Sequence, residues 1–234
     1  MHPERQVTAM LANNNRRIIG RMAKSSLRGN RGRNVIILLV GGFFGSGKTT
    51  VISRLMDQIL AEGQSLCIIE NEIGKNSIDD LLLQHGSVEI TAITGGCVCC
   101  QVTGSLIEAV RDLNRQFSPD WIIVELTGIA YLKDLREKLE KYLPDHPAII
   151  SLSVVDAARW SELLKAASII MENQISGGDI IVINKVDLHP ETQKIYEDIQ
   201  KIDTPHRILP LCALSGSCPE LLDAIKQEVT THHE

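Results

Sequence analysis

Seven short runs of apolar, largely β-branched residues recur along the chain from Val35 onward, separated by longer amphipathic stretches. They are VIILLVG, SLCIIEN, VEITAIT, WIIVELT, AIISLSVV, DIIVINK and RILPLCA. Strands that are apolar on both faces need helices over both faces, and the amphipathic stretches can supply them. The pattern predicts an α/β fold with a doubly wound, mostly parallel sheet and ligands at the carboxyl ends of its strands. We expect helices to begin near Lys48, Ile78, Gly104, Tyr131, Ala157, Pro190 and Cys218.

The charge pattern divides the chain into a basic N-terminal arm, residues 1–33, and a single domain, residues 34–234. The arm carries seven Arg and one Lys against one Glu, a charge of +7, which leaves −12 for the domain because the total is −5. We interpret the arm as a solvated leader, with a nucleic-acid contact as the less favoured alternative. The chain lacks the long apolar run of a membrane-spanning helix and the apolar core of a secretory signal. We therefore expect a cytoplasmic protein without a membrane partner.

The segment GFFGSGKT, which begins at Gly42, matches the pattern G-x-x-x-x-G-K-[ST] in full. It follows a predicted strand and precedes a predicted helix, the context in which this pattern forms a phosphate-binding P-loop. In such a loop the backbone N–H groups surround the phosphates, Lys48 reaches the β- and γ-phosphates, and the Thr49 hydroxyl coordinates Mg²⁺. A chance Gly-rich turn is the alternative. The nucleotide-binding residues predicted here are Gly42, Gly45, Ser46, Gly47, Lys48, Thr49 and Thr50.

A second segment, NKVD, matches the N-K-x-D pattern typical of GTPases. Asp187 would accept hydrogen bonds from two guanine N–H groups that adenine lacks, while Asn184 supports the base edge and the Lys185 stem covers the ring. The segment CALSG follows the next predicted strand, and we expect Ala213 to complete the base pocket with backbone groups. The two segments predict binding of GTP and GDP. An ordinary strand-end turn carrying Asn and Asp is the alternative.

The run WIIVELTG places Glu125 at a strand end and Gly128 shortly after it. A carboxylate at that point can hold the Mg²⁺ shell and respond to the γ-phosphate, and Gly128 permits a mobile loop near the phosphates. Lys48 and Glu125 are therefore candidate catalytic residues. No arginine finger or water-orienting Gln is evident from the motifs, so we expect slow hydrolysis by the protein alone.

The segment GGCVCC contains three of the six cysteines of the chain within four positions. Because cytoplasmic thiols stay reduced, we interpret it as a metal or redox site before a disulfide. The thiolates of Cys97, Cys99 and Cys100 can converge on one soft cation through a short turn. Zinc takes four ligands, so either a fourth comes from elsewhere or the site is open and suits an ion that is handed on. A closed zinc knuckle and three reduced core thiols are the alternatives; Cys67, Cys212 and Cys218 are expected to be packing residues.

Taken in order with ENEIGKNSIDD and SVVDA, these motifs make the chain from about Val35 onward resemble the GTPase domain of the CobW-like family. These are metal-handling GTPases related to the nickel-insertion GTPases for hydrogenase and urease. The resemblance implies a metallochaperone or metallocofactor-assembly GTPase that uses Mg²⁺, carries zinc or another transition metal, delivers it to an acceptor metalloprotein and forms a nucleotide-dependent homodimer. It makes Glu72 a candidate fourth metal ligand and Asp79 a third catalytic candidate, near Mg²⁺ or the attacking water.

Two other functions stay open at this point. One is a GTP-gated chaperone of a cobalamin-dependent or other metalloenzyme, in which the cysteines are structural. The other is a small-molecule kinase with a P-loop, which would prefer ATP and against which NKVD argues. For the metallochaperone we hypothesise that GTP and Mg²⁺ fix residues 71–80 and the loop after Glu125, and so change the metal affinity of the cysteines. Linkage makes the effect reciprocal.

Overall fold

The seven predicted strands all form. The computed structural model describes residues 16–18, 35–70, 89–93, 99–143, 147–189, 192–205, 207–216 and 218–231. The predicted strands are β2 (Ile36–Gly41), β3 (Leu66–Glu70), β4 (Glu89–Ile93), β5 (Trp121–Glu125), β6 (Ala148–Asp156), β7 (Ile180–Asn184) and β8 (Arg207–Leu211). An eighth strand, β1 (Arg16–Ile18), comes from within the basic segment and was not predicted.

The strands form one sheet in the order β1-β4-β3-β5-β2-β6-β7-β8. Strands β2 to β8 pair in parallel, and β1 pairs antiparallel to β4 at the edge. The order reverses at β2, with strands added on both sides of it, which is the doubly wound arrangement. Because parallel strands end at the same edge, the residues that follow each of β2 to β8 share one edge of the sheet. The prediction of a doubly wound, mostly parallel sheet is confirmed.

Seven helices are described, and most begin close to the predicted positions. They are α1 (Lys48–Ala61), α2 (Cys99–Phe117), α3 (Leu132–Tyr142), α4 (Trp160–Ala166), α5 (Ser168–Ile175), α6 (Gln193–Ile202) and α7 (Pro219–Thr231). The predicted helix near Ile78 lies outside the described residues.

Three helix starts differ from the predictions, and α5 was not predicted. Helix α6 begins at Gln193, three residues after the predicted Pro190. Helix α2 begins five residues before Gly104, which is an exposed interior position with no atom within 4 Å of an added Cβ. A glycine there costs helix stability without ending the helix, so it was the wrong start signal. At Ala157 a 3-10 turn over residues 157–159 comes first, because the Asp156 side chain caps it by accepting from the Ala158 N–H.

The core has layers on both faces of the sheet. Successive residues of β2 point to opposite faces: Leu38 packs with α1 and α7, whereas Ile37 packs with α2 and α3, and both are fully buried. A third cluster joins β6 and β7 to α4, α5 and α6. This two-sided burial explains why the strands are continuous apolar runs. None of the described helices is long and apolar enough to cross a membrane.

Candidate nucleotide and metal site

The P-loop follows β2, and two of its glycines are required by close contacts. Gly42 has φ +140° and Gly47 has φ +97°. A Cβ on Gly42 would lie 2.2 Å from the Val154 carbonyl oxygen, and one on Gly47 would lie 2.3 Å from Nδ2 of Asn184. Both positions therefore exclude any side chain. The second contact also shows that the P-loop and the NKVD segment touch.

The start of α1 suits an anionic ligand. Its N-cap residue, Gly47, has no side chain to cap the helix, and its first turn carries no acidic residue. The Lys48 ammonium is almost buried and donates to the carbonyl oxygens of Gly42 (2.9 Å) and Phe43 (3.4 Å). The Ser46 hydroxyl is buried and has no hydrogen-bond partner among the described residues. Helix N–H groups, a cation and a polar buried hydroxyl are a suitable environment for phosphate.

Next to the P-loop, the side chains offer hard oxygen ligands. The Thr49 hydroxyl donates to Oε1 of Glu125 at 2.8 Å, and Glu125 is 6 % exposed. Glu70, also 6 % exposed, pairs in register with Glu125 on the neighbouring strand, so both side chains point to the α1 face. A hydroxyl beside carboxylates is a ligand set that fits Mg²⁺. Glu70 was missed, although it ends its apolar run just as Glu125 does.

The NKVD segment is bonded to the P-loop through Asn184. This side chain is 3 % exposed; its Nδ2 donates to the Ser46 carbonyl at 2.9 Å, and its Oδ1 accepts from the Ala213 N–H at 3.1 Å. The carbonyl of Ala213 accepts in turn from Nε of Arg54 on α1, at 3.0 Å. One amide thus joins the P-loop, the NKVD segment and the CALSG segment, which the sequence had placed in the same pocket.

Lys185 makes a second bridge to the P-loop. Its Nζ donates to the Gly45 carbonyl oxygen and to Oδ2 of Asp156, both at 2.7 Å. Its backbone has φ +64°, a left-handed conformation that is rare for a residue with a side chain. Asp187, two residues further on, is exposed at the turn. The structure therefore bonds Asn184 and Lys185 to the P-loop and Ala213 to Asn184, and it places Asp187 on the turn that follows Lys185.

The loop after β5 packs on the P-loop. A Cβ on Gly128 would lie 2.6 Å from the Phe44 ring, so this position needs glycine. The buried amide of Gln174 on α5 donates to the Gly128 carbonyl, a contact between helix and loop that the sequence did not reveal. The exposed apolar residues Phe44, Ile129 and Tyr131 lie around this contact.

The predicted metal ligands fall partly outside the described residues. Glu72 and Cys97 lie outside them, as does the catalytic candidate Asp79, and the described residues contain no group of three His, Cys, Asp or Glu side chains suited to a metal ion. Cys99 and Cys100 are the first two residues of α2, so they belong to a helix start and not to the short turn we expected. Helix N-termini favour thiolates.

Strand β4 ends at the P-loop edge of the sheet, and α2 begins with Cys99 six residues later in the chain. Strand β4 is parallel to β3, and GGCVCC starts two residues after β4 ends. Two strands, β3 and β5, separate β4 from β2, so the two strands are about 14 Å apart.

The remaining cysteines are packing residues or partly buried. All three are free thiols; Cys67 packs against α2 and α3, Cys218 packs against α1, and Cys212 is half-buried. Burial raises the pKa of the Cys218 thiol, which keeps it protonated and a poor metal ligand. The expectation of packing roles holds for Cys67 and Cys218.

Comparison with known proteins agrees with this geometry. The sequence model of the CobW/HypB/UreG nucleotide-binding domain matches residues 36–210, from the first residue of β2 into β8. The chain belongs to this family. The matched part includes the P-loop, Glu125 and the NKVD segment.

Individual relatives extend the comparison. The chain is 30 % identical to the zinc chaperone YjiA of Escherichia coli over 72 % of its own length and 55 % of that protein. It is 28 % identical to the zinc chaperone CobW of a Sinorhizobium species, over 70 % and 54 %. The hydrogenase maturation factor HypB of Archaeoglobus fulgidus has the same fold, with a TM-score of 0.62, 18 % identity and coverage of 83 % and 90 %. The chain thus spans about half the length of the curated relatives that it matches.

Proposed function

We propose that this chain binds and hydrolyses GTP and uses the nucleotide to control the loading of zinc, or another transition metal, onto an acceptor metalloprotein. The observation that carries the proposal is the placement of three described elements at one edge of the sheet: the P-loop after β2, the NKVD turn after β7 and the start of α2, whose first residues are Cys99 and Cys100. Family membership supports nucleotide binding, and two relatives named zinc chaperones support the metal.

Selection of guanine is supported by the division of work within NKVD. Asn184 and Lys185 bond to the P-loop, whereas Asp187 is exposed on the turn that follows Lys185. A carboxylate there accepts from the guanine N1–H and 2-amino groups, and adenine offers neither donor. Hydrogen bonds to a charged group contribute about 1.5–3 kcal/mol each, which is enough to separate GTP from ATP. Competitive titration with GTP, GDP and ATP tests this; equal affinities would refute it and favour the kinase alternative.

Hydrolysis is assigned to the phosphate side of the site. Thr49 and Glu125 would hold Mg²⁺, which when bound neutralises charge on the β- and γ-phosphate oxygens. Lys48 places a cation at the same point, and we assign Asp79 to the attacking water. The motifs contain no arginine finger or water-orienting Gln, so the rate of the protein alone should be low.

The metal is assigned to Cys97, Cys99 and Cys100, with Glu72 as a fourth ligand. A thiolate set suits zinc, and the cytoplasm, where we place the protein, keeps such thiols reduced. Replacing all three cysteines by alanine should abolish zinc binding, measured anaerobically against a chelating dye, and preserve the far-ultraviolet circular dichroism melt. Cys212→Ala is the matched control and should keep zinc. Collapse of the fold in the triple variant would instead support structural cysteines in a GTP-gated chaperone.

A nucleotide-dependent homodimer is supported by the apolar surface at the phosphate side. Phe44, Ile129 and Tyr131 are 44 %, 56 % and 43 % exposed there. Sedimentation velocity with GDP and with a non-hydrolysable GTP analogue should show association only with the analogue. Ile129→Asp should prevent it, and Ile169→Asp, at a 70 % exposed position on α5, should not. If Ile129→Asp and Ile169→Asp sediment alike with the analogue, the surface around Ile129 is not part of the dimer interface.

A further inference from the structure

We propose that Asp156 is a positioning residue for guanine recognition: its carboxylate holds Lys185, and through Lys185 it fixes the base loop against the P-loop. The inference rests on the proposed assignment of NKVD to the base. Asp156 is the fourth residue of the SVVDA motif, which carries part of the resemblance but has had no role so far. In the sheet it pairs in register with Asn184, the first residue of NKVD.

The carboxylate of Asp156 connects two structural elements. The residue is 2 % exposed, so its charge has to be satisfied by partners inside the protein. Oδ1 accepts from the Ala158 N–H at 3.0 Å, and Oδ2 accepts from Nζ of Lys185 at 2.7 Å. Each oxygen is thus bonded to a different loop at the carboxyl edge of the sheet.

Lys185 is held in an unfavourable backbone conformation. The left-handed region is unfavourable for a residue with a side chain, and such residues persist only where the surroundings fix them. The ammonium is fixed at two points, by Asp156 and by the Gly45 carbonyl. The aliphatic stem between these contacts and the backbone is therefore set in one direction, as a surface for a purine ring requires.

Asp187 depends on the same backbone. The Leu188 N–H donates to the Lys185 carbonyl at 3.0 Å, which closes the turn that carries Asp187. A shift of Lys185 would shift this turn and the carboxylate that reads the base. Asp156 therefore acts on selectivity through Lys185, without touching the nucleotide.

Oδ1 of Asp156 acts on the P-loop through a different element. It caps the 3-10 turn over residues 157–159, and from this turn Nη1 of Arg159 donates to the Phe44 carbonyl at 3.3 Å. Lys185 already holds the next carbonyl, that of Gly45. One carboxylate thus organises two cations that hold consecutive carbonyls at the tip of the P-loop.

A matched control exists for a purely structural effect. Asp179 is also a buried aspartate, 7 % exposed, that accepts from a backbone N–H (Ser151, 2.8 Å) and from a cation (Arg136, 2.6 Å). It precedes β7, so it lies at the opposite edge of the sheet from the loops that bind nucleotide. Loss of stability alone would affect Asp156→Asn and Asp179→Asn alike.

The test measures the affinities of both full-length variants for GDP, for inosine diphosphate, which lacks the 2-amino group, and for ADP. Asp156→Asn should weaken GDP binding about tenfold, as expected for loss of a charge-assisted contact. It should also narrow the preference for GDP over inosine diphosphate at least threefold and raise the KM for GTP while kcat changes less than twofold. Asp179→Asn should leave all four quantities within twofold of wild type. A GDP affinity and preference unchanged in folded Asp156→Asn would overturn the inference.

A second route approaches the same contact from its partner. Lys185→Met keeps the apolar stem and removes the ammonium, and it should weaken GDP binding about as much as Asp156→Asn. The double variant should lose little more GDP affinity than Lys185→Met alone, because each single variant already removes the contact between Asp156 and Lys185. Losses of GDP affinity that add up in the double variant would overturn the inference. If Asp156→Asn fails to fold, a wild-type GDP affinity in Lys185→Met would overturn it. An unchanged GDP-to-ADP preference in Asp187→Ala would instead refute the assignment of the base site itself.

Discussion

The two ends of the carboxyl edge of the sheet are held together in different ways. At the base end, which comprises the loops after β6, β7 and β8, polar side chains bond to the P-loop backbone: Asn184 to Ser46, and Lys185 to Gly45. At the metal end, which comprises the ends of β3 and β5 and the start of α2, two buried carboxylates lie in register on neighbouring strands. Hydrogen bonds within the protein therefore fix the base end, whereas the metal end presents carboxylates that can bind a cation.

This difference indicates where nucleotide binding changes the structure. A loop cluster joined by buried hydrogen bonds has a defined geometry before its ligand arrives. Adjacent carboxylates repel one another, and a cation changes that energy when it binds. We therefore expect guanine to enter a preformed pocket, while Mg²⁺ and the γ-phosphate alter the metal end and, through it, the start of α2.

The largest effect should come from the P-loop, which serves both ends. Lys48→Ala removes the cation that we assign to the β- and γ-phosphates and should lower kcat for GTP about 10²–10³-fold, as loss of one preorganised charge stabiliser does. Lys226→Ala, which removes an exposed ion pair with Glu62, is the control and should change kcat less than about twofold. A kcat in Lys48→Ala near the wild-type value would place hydrolysis elsewhere.

Replacement of Asp187 should impair base recognition and leave Mg²⁺ binding unchanged. Asp187→Ala should reduce the preference for GDP over ADP by about 30-fold or more, from the loss of hydrogen bonds to a charged acceptor. The effect of Mg²⁺ on triphosphate affinity should stay, because the metal end is intact. Asp223→Ala, at an exposed position of α7, supplies the comparison. A simultaneous loss of the Mg²⁺ effect would show that the two ends are not separable.

Conversely, Glu125→Gln should affect the metal end alone. Removal of one carboxylate charge beside Thr49 should reduce the Mg²⁺-dependent gain in GTP affinity about tenfold, with the GDP-to-ADP preference unchanged. Glu228→Gln removes another buried carboxylate, paired with Arg207 away from the P-loop, and should preserve both quantities. An equal Mg²⁺ response in wild type and Glu125→Gln would contradict the assigned ion site.

The smallest expected effect is a pH dependence of the free energy of unfolding that comes from Cys218. Burial raises the pKa of Cys218 in the folded protein, so above the ordinary thiol pKa the unfolded chain ionises first. The free energy of unfolding should therefore fall as pH rises from the ordinary thiol pKa towards the raised pKa of Cys218, and it should be constant below the ordinary pKa. Urea denaturation across pH 7.5 to 9.5 should show a shallower slope in Cys218→Ala. Parallel slopes would mean that Cys218 does not titrate as described.

Local patterns in the sequence were sufficient for much of the fold and for the phosphate and base motifs. Apolar runs gave all seven parallel strands, since strands buried on both faces leave a continuous signal. Short motifs located Lys48, Thr49 and Asp187 because the chemistry of a P-loop and a base loop lies within a few residues.

Contacts between distant segments could not be predicted in this way. Asn184 reaches Ser46 across 138 positions, and Gln174 reaches Gly128 from another helix. Strand β1 comes from a segment whose charge suggested a solvated arm. The role of Asp156 depends on the left-handed backbone of Lys185, which no residue pattern announces.

The most direct test of the account is a reciprocal titration of zinc and nucleotide on the full-length protein. Zinc affinity is measured with GDP and with a non-hydrolysable GTP analogue plus Mg²⁺, and the affinity for each nucleotide is measured with and without zinc. Because linkage is symmetric, the ratio of the zinc affinities in the two nucleotide states should equal the factor by which zinc changes the ratio of the two nucleotide affinities. We expect this factor to be at least about fivefold, and the triple cysteine variant should abolish it. The account would be contradicted if zinc bound with equal affinity in the presence of either nucleotide and if zinc left the affinity for each nucleotide unchanged.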